Sequence, residues 1–130
     1  MKNKTCIATI ATMILMSVAN VNCSKDGGDD FFIPILQNQW TNKDNPNNTF
    51  FFFNEADSTN TSTFEGNEHI EGNDTTFHFN GSFTNHNIQF TYDDNIGVRS
   101  GKTYSGTIND ASTVMTLQGN GLPNLTLQKQ

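Results

Sequence analysis

The chain has 130 residues, 34% of them apolar, with seven basic and thirteen acidic side chains and a formal net charge of −6. That length supports one small domain, and the acidic balance excludes a nucleic-acid surface, which needs clustered Lys and Arg. Asn, Thr and Phe are abundant while Ala, Leu, Glu and Lys are scarce after residue 30, so an all-β fold is expected.

Lys2 and Lys4 open the chain, residues 7–21 are mostly apolar, and Asn22, Cys23, Ser24, Lys25 and Asp26 end that run abruptly. A basic start, an apolar stretch and a polar break make an export signal over residues 1–22, an address rather than part of the fold. The apolar run is several residues short of the roughly 20 needed to cross a bilayer. Removing 22 of the 130 residues leaves 108, with five basic and thirteen acidic side chains. Cys6 leaves with the signal, so Cys23 has no partner within one mature chain. The core must then rest on apolar packing, with Trp40, Tyr92, Tyr104 and the eleven phenylalanines as its main blocks.

Residues 23–36 divide into an acidic tether, with Gly27 and Gly28 for freedom, and an apolar lead-in from Phe31 to Leu36. Pro34 argues against a central strand there, so the lead-in is expected to run extended across one end of a domain spanning residues 37–130. A meander of short strands follows. Trp40 begins the first. Residues 49–54 hold four consecutive phenylalanines, a pattern that predicts burial on both faces. Residues 61–71 place Phe64, Gly66, Glu68 and Ile70 on one face, and residues 75–83 place Phe77, Phe79 and Phe83 inward. Residues 86–92 continue with Ile88, Phe90 and Tyr92, and residues 103–109 with Tyr104 and Ile108. Residues 112–118 and 124–128 close the series. Asn, Asp and Gly clusters separate these runs. About eight short antiparallel strands are predicted, closing into a barrel or folding as a two-sheet sandwich.

The N-terminal pattern resembles that of bacterial lipoproteins, in which a lipobox cysteine receives diacylglycerol and the peptide bond before it is cut. Cys23 is the matching residue, although Asn20 and Asn22 depart from the usual lipobox. Ser24, Lys25 and Asp26, with Asp29 and Asp30, resemble the export signal of surface-exposed lipoproteins of the Bacteroidota. The resemblance implies a lipid anchor in the outer membrane, facing the cell surface. Residues 17–19 also form a small-x-small site that ordinary signal peptidase would cut before Asn20, giving a secreted or periplasmic protein instead.

The strand order over residues 37–129 resembles the lipocalin-like and wider calycin families. Trp40 stands where the family tryptophan does, with Asn38 in place of the motif glycine. The family's late-strand arginine that packs over the tryptophan has no counterpart, because Arg99 is the only arginine and lies mid-chain. The resemblance implies a barrel that takes one small hydrophobic or sugar-like ligand. Trp40, Phe52, Tyr92 and Tyr104 would ring an enclosed cavity, and Glu68 would supply a polar group in it. The same rings, filling a core, leave no cavity at all.

No serine has a nucleophile-elbow setting, no cysteine remains for thiol catalysis, and no glycine-rich loop joins a strand to a helix. No enzyme activity and no cofactor are therefore expected. His69, His78 and His86 match no metal-ligand spacing, and the run Asp93 to Gly97 lacks the length and the bidentate glutamate of a calcium loop. Residues 100–104, Ser-Gly-Lys-Thr-Tyr, resemble the Ser-Gly-x-x-Tyr loop of membrane-bound lysozyme inhibitors, which implies inhibition of a hydrolase. Asp57-Ser58-Thr59 and Asp74-Thr75-Thr76 resemble O-glycosylation sites of the Bacteroidota, at Ser58 and Thr75. The expectation from sequence is thus a lipid-anchored module that binds a small ligand or a protein partner, or else a structural partner in an envelope complex.

Overall fold

Eight strands form where side chains alternate: β1 (Asn38–Asn42), β2 (Asn45–Phe53), β3 (Thr61–Ile70), β4 (Thr76–Thr84), β5 (Asn87–Tyr92), β6 (Thr103–Ile108), β7 (Val114–Asn120) and β8 (Leu125–Lys129). The structure is a computed structural model that describes residues 31–53, 58–93 and 97–130. Cys23, Ser24, Lys25, Asp26, Asp29 and Asp30, with Asp57 and Asp94, lie outside the described residues.

Each strand pairs antiparallel with the next, and β8 returns to β1 through Trp40 opposite Lys129 and Asn42 opposite Leu127. The result is a closed up-and-down barrel, as the meander predicted. The sandwich alternative fails because this last pairing joins the two ends of one sheet and leaves no second sheet to face it.

Inward positions are mostly apolar, with Glu68 the charged exception. Phe64, Gly66 and Glu68 point in from β3, Phe77, Phe79 and Phe83 from β4, and Ile88, Phe90 and Tyr92 from β5. Outward positions are mostly Thr, Ser, Asn and Gln. Apolar inside and polar outside is the reverse of a barrel whose strands span a membrane. Among the described residues, no helix is long and apolar enough to cross one either.

The four phenylalanines of β2 correct one expectation. Phe50 and Phe52 are buried, but Phe53 is 55% exposed and Phe51 is only partly covered. A barrel wall is a single layer, so the second face has only solvent to meet.

The interior is crowded enough to need missing side chains. A Cβ on Gly66 would lie 2.2 Å from the Phe79 ring, and one on Gly81 would lie 2.4 Å from the Phe64 ring. Both are cross-strand pairs of β3 and β4. Each ring therefore covers the backbone of the glycine opposite it, an arrangement that lets a strand bend round a barrel without leaving a void.

The lead-in packs across one end of the barrel, as its composition predicted. Leu36 is fully buried, Pro34 is buried, and Phe32 stacks on His86 with ring centroids 3.8 Å apart. Four hydrogen bonds fix the segment. Phe32 N donates to Asn85 Oδ1 and Ile35 N to Ser112 Oγ, while the carbonyls of Ile35 and Leu36 accept from Lys129 Nζ and Trp40 Nε1. The compact unit accordingly runs from Phe31 to Gln130 rather than from residue 37.

Candidate functional site

Glu68 is the one buried acid among the described residues, at 1% exposure. The alternation of β3 carries it inward beside Gly66, and it lies near the barrel end opposite the lead-in. The partner that makes its charge tolerable comes from the connection between β5 and β6. There a short 3-10 turn, Gly97–Arg99, is framed by Gly97 and Gly101, with φ of 64° and 68°. Those left-handed conformations suit glycine. The loop closes through Gly101 N to the Tyr92 carbonyl and Lys102 N to the Arg99 carbonyl.

From this turn Arg99 reaches across the mouth. Its Nε donates to Glu68 Oε2 at 2.7 Å and its Nη2 to Oε1 at 2.8 Å, a two-pronged grip on the carboxylate. Tyr92 OH donates to Oε2 at 2.5 Å. The guanidinium carbon lies 5.3 Å from the centre of the Phe77 ring and 5.8 Å from that of Tyr92, so two rings flank the cation.

Burial, reinforced by the Glu68 charge, pushes the Tyr92 hydroxyl far above its ordinary value. Burial, opposed by the Arg99 charge and aided by that of Glu68, pushes Tyr104 up to about 12. The hydrogen bond to Glu68 holds Arg99 above its usual value against the cost of its partial burial. Both Glu68 oxygens are occupied. The group is a plug of matched charges and not a free acid or base.

The rings expected to surround a cavity are instead linked through others. Trp40 and Phe52 have centroids 6.1 Å apart, Phe52 and Phe79 5.3 Å, Phe79 and Tyr92 5.8 Å, and Tyr92 and Tyr104 6.3 Å. Phe90 lies 4.3 Å from Phe79 and 5.4 Å from Tyr104. These are contact separations for aromatic pairs. Trp40, Phe52, Tyr92 and Tyr104 all belong to one packed core, so the picture of four rings around an empty space is corrected. Glu68 faces Arg99 and not a void.

Depressions do occur on the outside. One of about 600 Å³ lies on β4 to β7, and another of about 370 Å³ adjoins it, with Ser82 and Gln89 lining both. The strand register sets the chemistry there. One row across four strands reads Thr84, Asn87, Thr107, Thr116. The next reads Ser82, Gln89, Ser105, Gln118, and a third Asn80, Thr91, Thr103, Asn120. Every one of these side chains is a hydroxyl or an amide. In the third row Thr91 and Thr103 bond each other and Asn80 bonds Asp93.

The remaining sequence candidates are scattered. Ser58 is exposed in the β2–β3 connection and Thr75 partly exposed in the β3–β4 connection, at opposite ends of the barrel. Within residues 100–104, Gly101 makes the turn and Tyr104 points inward, its hydroxyl donating to the Pro123 carbonyl at 2.9 Å. Among the described residues, no three His, Cys, Asp or Glu side chains gather as a metal site.

Sequence reasoning passed over Arg99, a loop residue 31 positions from its partner. It also passed over Lys129, whose Nζ sits 5.5 Å from the centre of the Trp40 ring. A lysine here does what the resemblance asked of an arginine. An inward carboxylate in an apolar strand was the available signal for Arg99, since such a charge must have a partner.

The fold and these surfaces define a filled eight-stranded barrel with a lipocalin-like order of strands. No protein-family model, no curated protein and no solved structure matches the chain.

Proposed function

We propose that the protein is a lipid-anchored component of the cell envelope, acylated at Cys23, whose barrel recognises a partner with its outer wall. The observation that carries this reading is the packed interior, with contacting rings through the middle and Arg99 on Glu68 at one end. A calycin-type barrel with an occupied centre has its surface left for recognition. The lead-in supports the anchoring half. Its hydrogen bonds across the barrel end hold the start of the domain in place.

Two measurements in the native envelope test the reading. Labelling with an alkyne fatty acid is expected to mark the protein and to lose the mark in Cys23→Ala. Photo-cross-linking residues placed at Gln118 are expected to capture a partner that the same residue at Lys102, beside the mouth, does not. An unlabelled mature protein starting at Asn20 overturns the anchor, and capture only from the mouth overturns the outer wall.

A further inference from the structure

We propose that the outer face of β4 to β7 is a binding site for a neutral oligosaccharide. This deepens the proposed function and rests on the outer wall being the recognising surface.

Charge is the first argument. Thirteen acidic and seven basic residues are spread through the chain, yet twelve outward positions on four adjacent strands carry neither sign. Apart from the Asp93 carboxylate bonded to Asn80 at one corner, the face carries no charge to grip a polyanion or a cationic peptide, whose recognition depends on opposite charge. It also lacks the Trp, Tyr and Arg anchors that dominate protein interfaces. An uncharged polymer rich in hydroxyls is the partner class that matches.

The hydrogen-bonding inventory agrees. Amides and hydroxyls both donate and accept, as the hydroxyls of a neutral sugar do, and an amide can span two neighbouring hydroxyls as a carboxylate spans a guanidinium. The side chains of Asn87, Gln89, Ser105, Thr107, Thr116 and Gln118 are exposed and make no hydrogen bond among the described residues, so their capacity is free for a ligand. Asn87, Ser105, Thr107 and Thr116 are short, so fixing them costs little side-chain entropy.

Shape is the third argument. A depression of about 600 Å³ lies within the range of small-ligand sites, and its continuation over Ser82 and Gln89 into one of about 370 Å³ makes a trough rather than a single pit. A trough suits a linear chain of two or three sugar units more than a monosaccharide. All of it stands on paired strands, so the site is set before the ligand arrives.

The test uses the full chain carrying Cys23→Ala, with cellotriose, maltotriose and chitotriose as neutral probes and a galacturonic acid trimer as the acidic one. Backbone amide NMR is expected to show shifts confined to β4 to β7 with at least one neutral probe, at the weak, about millimolar affinity of an open site. Thr116→Lys and Gln89→Glu are each expected to weaken that binding about tenfold, with an unchanged unfolding midpoint showing that the fold is intact. Shifts absent with all three neutral probes, or equal with the acidic trimer, overturn the oligosaccharide. If Gln118 still cross-links a partner in the envelope, the outer-wall reading survives that loss; if capture comes only from the mouth, both fall.

Discussion

Lys129 Nζ lies 5.5 Å from the centre of the Trp40 ring and donates to the Ile35 carbonyl at 2.7 Å, so one cation ties β8, β1 and the lead-in together. Burial lowers the Lys129 pKa, which marks an ammonium partly stripped of water and more strongly drawn to the ring. Replacing Lys129 by Met is expected to cost about 1–2 kcal/mol. Lys129→Arg is expected to hold stability, since a guanidinium can cover the ring and reach the same carbonyl. Urea unfolding followed by the fluorescence of Trp40, the single tryptophan, measures both.

The grip of Arg99 on Glu68 predicts a larger effect. Removing Arg99 leaves the buried Glu68 carboxylate without its counter-charge, which costs about 3–5 kcal/mol. Arg99→Ala is expected to lower the midpoint of thermal unfolding by more than about 10 °C in a domain of this size. Glu68→Gln keeps an acceptor for Tyr92 and is expected to cost less than Glu68→Ala. Calorimetry of the three variants separates charge from hydrogen bonding; equal losses for Glu68→Gln and Glu68→Ala contradict the assignment.

Crowding at the inward glycines orders a second series. In Gly66→Ala the new methyl meets the Phe79 ring at 2.2 Å and the Phe51 carbonyl oxygen at 2.6 Å, whereas in Gly106→Ala it meets the Thr116 carbonyl oxygen at 1.9 Å. A ring can shift more easily than the backbone of a paired strand. Gly66→Ala is expected to destabilise by about 1–3 kcal/mol and Gly106→Ala by more, read from denaturant midpoints.

The tyrosines predict a response to alkali. Tyr104 is pushed up to about 12 and Tyr92 higher, each from an ordinary value of 10.0. An acid with a folded pKa above its unfolded one leaves stability intact below the unfolded value and withdraws it as pH rises through the folded one. Stability is therefore expected to be insensitive to these groups up to about pH 10 and to fall from there through about pH 12. Absorbance of phenolate near 295 nm should rise together with loss of the folded circular dichroism signal. Ionisation of both tyrosines at about pH 10 with the fold intact is the contrary result.

Much of the architecture was legible because a barrel wall has one wet and one dry face, and β3, β4 and β5 write that difference at every second residue. The run Phe50 to Phe53 misled for the same reason: apolar residues on both faces suggest two covers, and this wall has one. Residue pairs made across the barrel were less visible. Glu68 showed as an inward charge, but its partner came from a turn with no periodic pattern to place it. Lys129 was hidden by an expectation of arginine. Whether the interior was full or hollow depended on how tightly Phe52, Phe79 and Phe90 meet, and strand alternation carries no information on that.

The pairing of Lys129 with Trp40 along the seam has one more consequence. Thr49 to Phe53 is a short, uncharged, aromatic stretch of the kind that stacks into cross-β fibrils when an open strand can template it. β2 is bonded to β1 and β3, and with the ring of strands sealed at β1 and β8 no strand of the barrel offers a free ladder to another molecule. Copies packed densely side by side can thus jostle without nucleating aggregates, so long as the seam stays shut.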